Sequence, residues 1–530
     1  MKPMEAKVAK VQDFQDGDRR EVVVGETKVL LTRLKGQFYA IGAECTHYGG
    51  PLAEGAWHGH RVVCPWHQAV FNVMNGDLEE PPALDAEPCF EVRVEADEVI
   101  VKVAEKAESR RTPAMARRDP AEARTFVILG AGAAGLVAAE TLRQDDFKGR
   151  IVMLTADSRL PYDRPNLSKG YLSGEAGPDD LPWRTAEFYR DHDIEVRLGH
   201  RVTRVEPALK TVTLADGATL GYDALLLAPG GIPRALDLPG PQRPNVFALR
   251  SADDADAIIG AAGQASRVVV VGAGFIGMET AAALTKRGLN VSVVGSGTVP
   301  LKRQLGREIG GLLKEVHEEQ GVTFRLGRKV AGLEGDGRVQ AVVLDDGEAL
   351  PADLVVVGLG IRPATEMLTG VELNPDGSVS VNRQMQVAEG LYAAGDVARF
   401  PDWRDGTPIR IEHWRLAEQH GRIAAHNMAG RQAEYAGVPF FWSEQFDLFL
   451  QYVGYAAAWD EVILQGDLPG RNFLAYYVKA GRVLAAAGLQ RDRQLAALAE
   501  LMRLNQAPPA AELRRDLEFD PAARLKALQV

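Results

Sequence analysis

Cysteine is scarce in this chain: Cys45, Cys64 and Cys89 are the only three in 530 residues. That is too few for a disulfide framework at this length. Neither of the chain's two Gly-rich strand-to-helix turns, at 125–140 and 267–279, carries a Cys-x-x-Cys pair, and the stretch PYDRPNLSKGYLSG (161–174) contains no cysteine. Dithiol reductases and cysteine-sulfenate peroxidases or oxidases are thereby excluded, because their chemistry requires a thiol. Positive charge is also in deficit, with 61 Lys and Arg against 72 Asp and Glu and a formal net charge of -11. A nucleic acid or an acidic membrane would be repelled overall. No apolar run is long enough to span a bilayer, and the opening MKPMEAKVAKVQDF lacks the apolar core of a signal peptide, so a cytoplasmic setting is expected. The remaining composition is ordinary for a globular protein, 46% hydrophobic and 25% charged, and the length predicts three or more domains.

The two Gly-rich turns organise the chain. TFVILGAGAAGLVAAE (125–140) is an apolar strand that breaks at Gly130, Gly132 and Gly135 and resumes as an Ala-rich helix. The pattern returns in RVVVVGAGFIGME (267–279), with Gly272, Gly274 and Gly277. In such a turn two glycines let the backbone bend and approach a pyrophosphate, while the third lets helix and strand pack closely. One match is weak evidence, but two in one chain point to two bound dinucleotides, one passing electrons to the other.

Residues 1 to about 106 read differently. Short strands at 20–24, 28–34, 37–41 and 98–103, punctuated by Gly, Asp and Pro, predict a small all-β domain. Two of its loops, Cys45-Thr46-His47 and Cys64-Pro65-Trp66-His67, each offer one thiol and one imidazole. Zinc fingers pair Cys with Cys and then His with His, whereas one of each kind per loop suits a [2Fe-2S] cluster whose irons are ligated by two thiolates and by two imidazoles. Cys45, His47, Cys64 and His67 are the expected ligands. His58 and His60 are expected to be solvated hairpin residues, and Cys89 a small buried one. Residues 104–122, AEKAESRRTPAMARRDPAE, carry charge and Pro without an apolar face and read as a flexible linker, with a reach of roughly 20 to 25 Å. Such a tether holds a redox partner at an effective concentration on the order of millimolar.

The two loops resemble those of the Rieske family, including the Gly and Pro that come after the first His. PYDRPNLSK (161–169) and GAGFIGME resemble the ferredoxin reductase and apoptosis-inducing-factor branch of the two-dinucleotide flavoproteins, and specifically its members with an N-terminal Rieske domain. The resemblance covers nearly the whole chain. It implies that Gly130, Gly132, Gly135 and Arg164 meet the FAD pyrophosphate, and that Lys169 sits by the reactive edge of the flavin, paired with Glu279. It further implies that Asp396 in LYAAGDVARF (391–400) binds the ribityl chain and that His413 and Trp414 lie against the pyrimidine side. Gly272, Gly274 and Gly277, with Gly360 in GLGIRPATE (358–366), are implied to hold NAD(P)H. Trp442 is placed either near the flavin or in the core. Two departures stand out. Ala156 occupies the usual acidic position for the FAD ribose, leaving Asp157 as the nearest carboxylate. Gly295 closes the strand LNVSVVG where NADH-selective relatives usually carry Glu, with Lys302 and Arg303 close behind. Around the cluster, Gly50, Trp66 and Ala69 replace the hydrogen-bonding and disulfide residues of respiratory Rieske proteins. A potential at the low end of the Rieske range, about -150 mV, is expected.

The expected architecture is multi-domain. A Rieske-type [2Fe-2S] ferredoxin domain spans 1–106 and a linker 107–122. An α/β FAD-binding domain in two parts (123–247 and 373–435) encloses an NAD(P)-binding domain (248–372), and an α+β reductase C-terminal domain completes the chain (436–530). The resemblance implies an NAD(P)H-dependent FAD oxidoreductase that passes electrons to its fused cluster and on to an unknown protein acceptor, with the C-terminal domain serving as a homodimer surface. Two other functions compete with it, the second discounted because the His and Glu residues it would need are spaced as the flavin motif spaces them. A redox-sensing or signalling flavoprotein of the apoptosis-inducing-factor type would turn over little. A Rieske oxygenase would need a mononuclear iron, for which His413, His420 and His426 with Glu412 are the only candidates nearby.

Overall fold

The structure is a computed structural model that describes residues 4–238 and 243–528. Two compact units divide the described residues: those within 4–115, 436–442 and 451–528 form one, and those within 116–435 and 443–450 form the other. No helix among the described residues is long and apolar enough to cross a membrane.

In the first unit, six antiparallel strands run in the order Met4–Lys10, Glu98–Val103, Cys89–Glu95, Gln37–Gly42, Thr27–Leu34, Arg19–Val24. The strands expected at 20–24, 28–34, 37–41 and 98–103 are therefore present to within a residue. A second sheet of four short strands, Ala56–His58, Arg61–Val63, Val70–Asn72 and Leu78–Glu80, carries the second Cys-His loop between its middle two members. Cys45 and Cys64 belong to the apolar cluster formed by Leu30, Ile41, Leu52, Trp57, Val62 and Phe71, which shields both thiols from water. Cys89 corrects the expectation of burial: it is exposed, because it opens a strand whose residues alternate outward from that position.

Most of the C-terminal sheet, ordered Phe440–Gln445, Leu448–Gly454, Arg482–Leu489, Asn472–Lys479, Glu461–Asp467, and the helix Asp492–Arg503 belong to the same unit, residues 443–450 excepted. Ala56, Val63 and Val70 of the four-stranded sheet pack into one buried cluster with Ala496, Ala497 and Leu501 of that helix and with Ala522 and Leu525. Arg61 extends this contact, reaching Glu79 at 2.9 Å, Glu80 at 2.6 Å and Glu500 at 3.3 Å. The cluster-loop domain is thus seated on the C-terminal domain.

The linker is tied down as well, which corrects the reading of a freely flexible tether. Arg111 and Ala86 exchange backbone hydrogen bonds at 2.8 and 2.9 Å, and Arg111 also pairs with Asp77. Farther on, the Ala116 and Asp119 amides donate to Arg143 and Lys148 carbonyls, both at 2.8 Å. Each end is held on its own unit.

The second unit holds the two dinucleotide folds. In the first, the parallel strands Ile194–Arg197, Arg150–Leu154, Thr125–Leu129, Ala224–Leu227 and Leu391–Ala393 lie in that order, with Gln386–Ala388 antiparallel at the edge. In the second, all five strands are parallel: Val246–Ala248, Leu354–Val357, Arg267–Val271, Asn290–Gly295, Thr323–Leu326. Strands buried on both faces need apolar residues throughout, which is why VVVV and LVVV show no alternation. In each fold the Gly-rich turn leaves the carboxyl end of its strand and enters a helix, Ala133–Gln144 or Phe275–Lys286.

Candidate active site

The two cluster loops fold on one backbone plan. The Cys45 amide donates to Gly50 O and the Gly49 amide to Cys45 O, both at 2.8 Å. The Cys64 amide donates to Ala69 O at 2.8 Å and the Gln68 amide to Cys64 O at 3.2 Å. Gly49 and Gln68, at equivalent positions, both adopt positive φ. The loops bring like atoms together. His47 Nδ1 and His67 Nδ1 lie 3.2 Å apart with their rings nearly perpendicular, and the two thiols neighbour each other closely enough to interact. Space around the sulfurs is tight: a Cβ added at Gly50 would come within 2.6 Å of Cys64 Sγ.

Burial, with the Cys64 thiol alongside, pushes the Cys45 thiol well up. Burial raises Cys64 too, but hydrogen bonding with Cys45 and with the Trp66 and His67 amides brings it down on balance. Burial and the neighbouring His67 drive His47 well below its ordinary value, leaving it neutral as a metal ligand must be. Two thiols and two imidazoles converging in pairs fit a [2Fe-2S] cluster with two donors on each iron. Among the described residues no three His, Cys, Asp or Glu side chains gather as a mononuclear ion would require. The candidates for such an ion face different partners: His426 bonds to Asp145, His420 packs against Phe400 and Tyr435, and His413 faces Phe275.

Residues that the sequence reading missed surround the cluster loops. The Thr46 amide, between Cys45 and His47, donates to Glu87 Oε1 at 3.0 Å, and Thr46 Oγ1 donates to Asp85 O at 2.7 Å. Glu87 is fully buried, and its other oxygen has no partner among the described residues. Trp442 sets its ring at 64° and 4.5 Å from that of His67, and Gln451 Nε2 donates to Pro65 O at 2.9 Å. Trp442 was open between flavin and core in the sequence; its contact with His67 arises from a pairing of distant segments that no local pattern encodes.

In the second unit the glycine turns divide their labour alike. Gly130 (φ +107°) and Gly272 (φ +116°) have no room for a side chain, since a Cβ would lie 2.0 Å from Ala228 O or 2.2 Å from Gly358 O. Gly135 and Gly277 are packed so closely that a Cβ would meet Gly130 O or Gly272 O at 1.9 Å. Gly132 and Gly274 instead face open space, each at the N-terminus of its helix. An open backbone at a helix N-terminus fits a pyrophosphate in both folds. Gly360 (φ +82°) also faces open space, in the loop whose Gly358 crowds Gly272.

Around the first turn, Tyr162 Oη donates to Asp157 Oδ2 at 2.8 Å, and the Arg164 guanidinium lies over the Tyr162 ring at 4.9 Å. Burial pushes the Tyr162 hydroxyl up to about 12, keeping it a donor. Arg164 donates to the Arg250 carbonyl, and Arg250 Nη2 contacts Asp396 Oδ2 at 2.8 Å, so Asp157, Arg164 and Asp396 join one chain of contacts.

Lys169 and Glu279 meet as expected, Nζ to Oε2 at 2.8 Å, with Lys169 Nζ also 3.1 Å from Pro165 O. Both are nearly buried. Glu279 is fastened further by Ser168 Oγ and by Ser443 Oγ, which donates to Oε1 at 2.7 Å and itself accepts from Gln445 Nε2 at 2.9 Å. Burial and then the Lys169 charge force His413 down to about 3, so it is a neutral imidazole. His413 precedes the helix Trp414–Met428, whose Gly421 abuts Ala134 of the first turn's helix so tightly that a Cβ would sit 2.1 Å from its carbonyl oxygen.

Three family patterns match consecutive parts of the chain: the Rieske [2Fe-2S] domain over 4–93, pyridine nucleotide-disulphide oxidoreductase over 124–421, and the reductase C-terminal domain over 440–529. Human apoptosis-inducing factor 3 is 42% identical over 510 residues, 94% of this chain and 84% of its own. Putidaredoxin reductase of Pseudomonas putida is 34% identical over 372 residues, 69% of this chain and 88% of its own. Among solved structures, the ferredoxin reductase for the CYP199A2 system of Rhodopseudomonas palustris superimposes with a TM-score of 0.72 at 33% identity, covering 76% of this chain and all of that one.

Proposed function

Because the chain belongs to the pyridine nucleotide-disulphide oxidoreductase family, in its ferredoxin reductase form, and carries a Rieske domain, we propose that it takes hydride from NAD(P)H and delivers electrons singly, through its own cluster, to a protein acceptor. Bound FAD supplies the exchange between a two-electron donor and a one-electron carrier. Gly130, Gly132 and Gly135 give the pyrophosphate its turn, with Arg164 as its cation, Asp157 for the ribose and Asp396 for the ribityl chain. Gly272, Gly274, Gly277 and Gly360 hold NAD(P)H. Lys169, oriented by Glu279, keeps a positive charge where the reduced ring gains a negative one. Neutral His413 and Trp414 line the same pocket without adding charge. Cys45, His47, Cys64 and His67 hold the cluster.

The observation that carries the reading is that one chain holds both a converging pair of Cys-His loops and two dinucleotide turns, each with its own supporting contacts. Trp442 packs against the cluster ligand His67, and Ser443 bonds to Glu279, the partner of Lys169.

The test is anaerobic stopped-flow reduction, tracking flavin bleaching and the cluster spectrum together. Cluster reduction that comes after flavin bleaching at a rate independent of protein concentration supports transfer within the chain. A flavin that bleaches while the cluster stays oxidised rejects it, and leaves a low-turnover redox sensor as the better account.

A further inference from the structure

The nicotinamide coenzyme of this reductase reading is open in one respect, its 2'-position, and the second dinucleotide fold bears on it. The residue closing the second strand of such a fold faces the adenosine ribose, where a carboxylate binds the 2'-hydroxyl and repels a 2'-phosphate. Here that strand, Asn290–Gly295, closes on a buried glycine. A Cβ at Gly295 would lie 2.9 Å from Ala273 Cβ and 3.3 Å from Leu326 Cδ2, so the position is packed directly against the fingerprint turn.

The segment beyond the strand is basic. GSGTVPLKRQLGR (295–307) contains no Asp or Glu and three cations. The Leu301 amide donates to Ala273 O at 3.1 Å, which pins the start of the helix Lys302–Glu319 to the same fingerprint turn. Its first two residues, Lys302 and Arg303, are exposed and take part in no ion pair among the described residues. On the other side, the Gly327 and Arg328 amides donate to Gly297 O at 2.9 Å and Gly295 O at 3.1 Å. The acids next to that segment are occupied, since Arg328 reaches Asp346 at 2.9 Å and Asp345 at 4.0 Å. The ribose end of the pocket therefore lacks the excluding carboxylate and has two uncommitted cations anchored beside the phosphate turn.

We propose that this site accepts NADPH at least as well as NADH, with Lys302 and Arg303 holding the 2'-phosphate. An exposed cation contributes modestly to a phosphate, so the two together are expected to favour the phosphorylated coenzyme by roughly tenfold and to lose effect as salt rises.

The experiment compares kcat/KM for flavin reduction by NADPH and NADH, together with binding of 2',5'-ADP and 5'-AMP to the intact flavoprotein by calorimetry. The expected result is an NADPH value equal to or above that for NADH, and tighter binding of 2',5'-ADP. In the Lys302→Ala/Arg303→Ala double variant, both preferences should fall about tenfold while the NADH value stays within twofold. An NADPH value below the NADH value, or a double variant that loses both coenzymes equally, overturns the assignment. Failure of both coenzymes to bleach the flavin would instead reject the reductase reading on which the assignment rests, and the 2',5'-ADP binding arm separates these two failures.

Discussion

Glu87 offers a pH test of how the Rieske domain is held together. Its carboxyl is fully buried, and a Cβ at Gly42 would lie 2.3 Å from Oε2, so water has no access from that side. Burial pushes this carboxyl well above its ordinary 4.5. The folded domain therefore holds a proton that the unfolded chain releases above pH 4.5. Stability contributed by this group is complete below 4.5 and is lost as pH rises toward the folded value, at about 1.4 kcal/mol per pH unit. Glu87→Gln keeps the shape and the Thr46 acceptor but cannot ionise, so it escapes this loss. Its stability relative to the parent should rise as pH climbs above 4.5, by up to about 1.4 kcal/mol per pH unit until the folded carboxyl ionises. Glu87→Ala instead leaves the Thr46 amide buried and unpaired and should cost about 1 to 3 kcal/mol, with a further contribution from the void. The assay is thermal unfolding of the cluster-loaded chain at pH 5, 6, 7 and 8, monitored by cluster absorbance, which reports this domain alone. If the Gln variant tracks its parent at every pH, or loses as much as the Ala variant, Glu87 is ionised in the folded state and the argument fails.

Other outcomes rest on the same contacts. Trp442→Ala should slow cluster reduction roughly tenfold while leaving flavin bleaching by the coenzyme unchanged; equal slowing of both steps would count against the tryptophan's role. Ser443→Ala removes a hydrogen bond to a buried carboxylate, about 1.5 to 3 kcal/mol for such a bond, and should shift the flavin midpoint potential measurably, whereas an unchanged potential would make Ser443 a packing residue only. Gly277→Ala places a Cβ 1.9 Å from Gly272 O, so coenzyme binding should weaken by at least tenfold with FAD content retained, as read from flavin absorbance and NAD(P)H titration. Arg61→Met removes three carboxylate contacts and leaves Glu500 nearly buried without its Arg61 contact, so cluster loss on heating should begin several degrees lower, with the flavin transition unmoved.

The sequence by itself determined the chemistry of the sites, because each is carried by short motifs whose geometry is local. A Cys-x-His loop and a Cys-x-x-His loop close their own turns through backbone hydrogen bonds four or five residues apart. Gly130 and Gly135 each have a steric reason that the spacing announces while Gly132 leaves the helix N-terminus open, and Gly272, Gly277 and Gly274 repeat that division. Lys169 and Glu279 are 110 residues apart, yet the motifs around them sufficed to pair them. Only the tertiary structure decided what lies between motifs. It exposed Cys89, tied down a linker that composition alone marks as mobile, seated the cluster domain on the C-terminal helix through small residues such as Ala496 and Ala497, and set Trp442 on His67 and Ser443 on Glu279. Those contacts join segments distant in sequence through burial and shape, which leave no periodic trace along the chain; a motif records what the backbone does to itself, and the fold records which surfaces are left to meet.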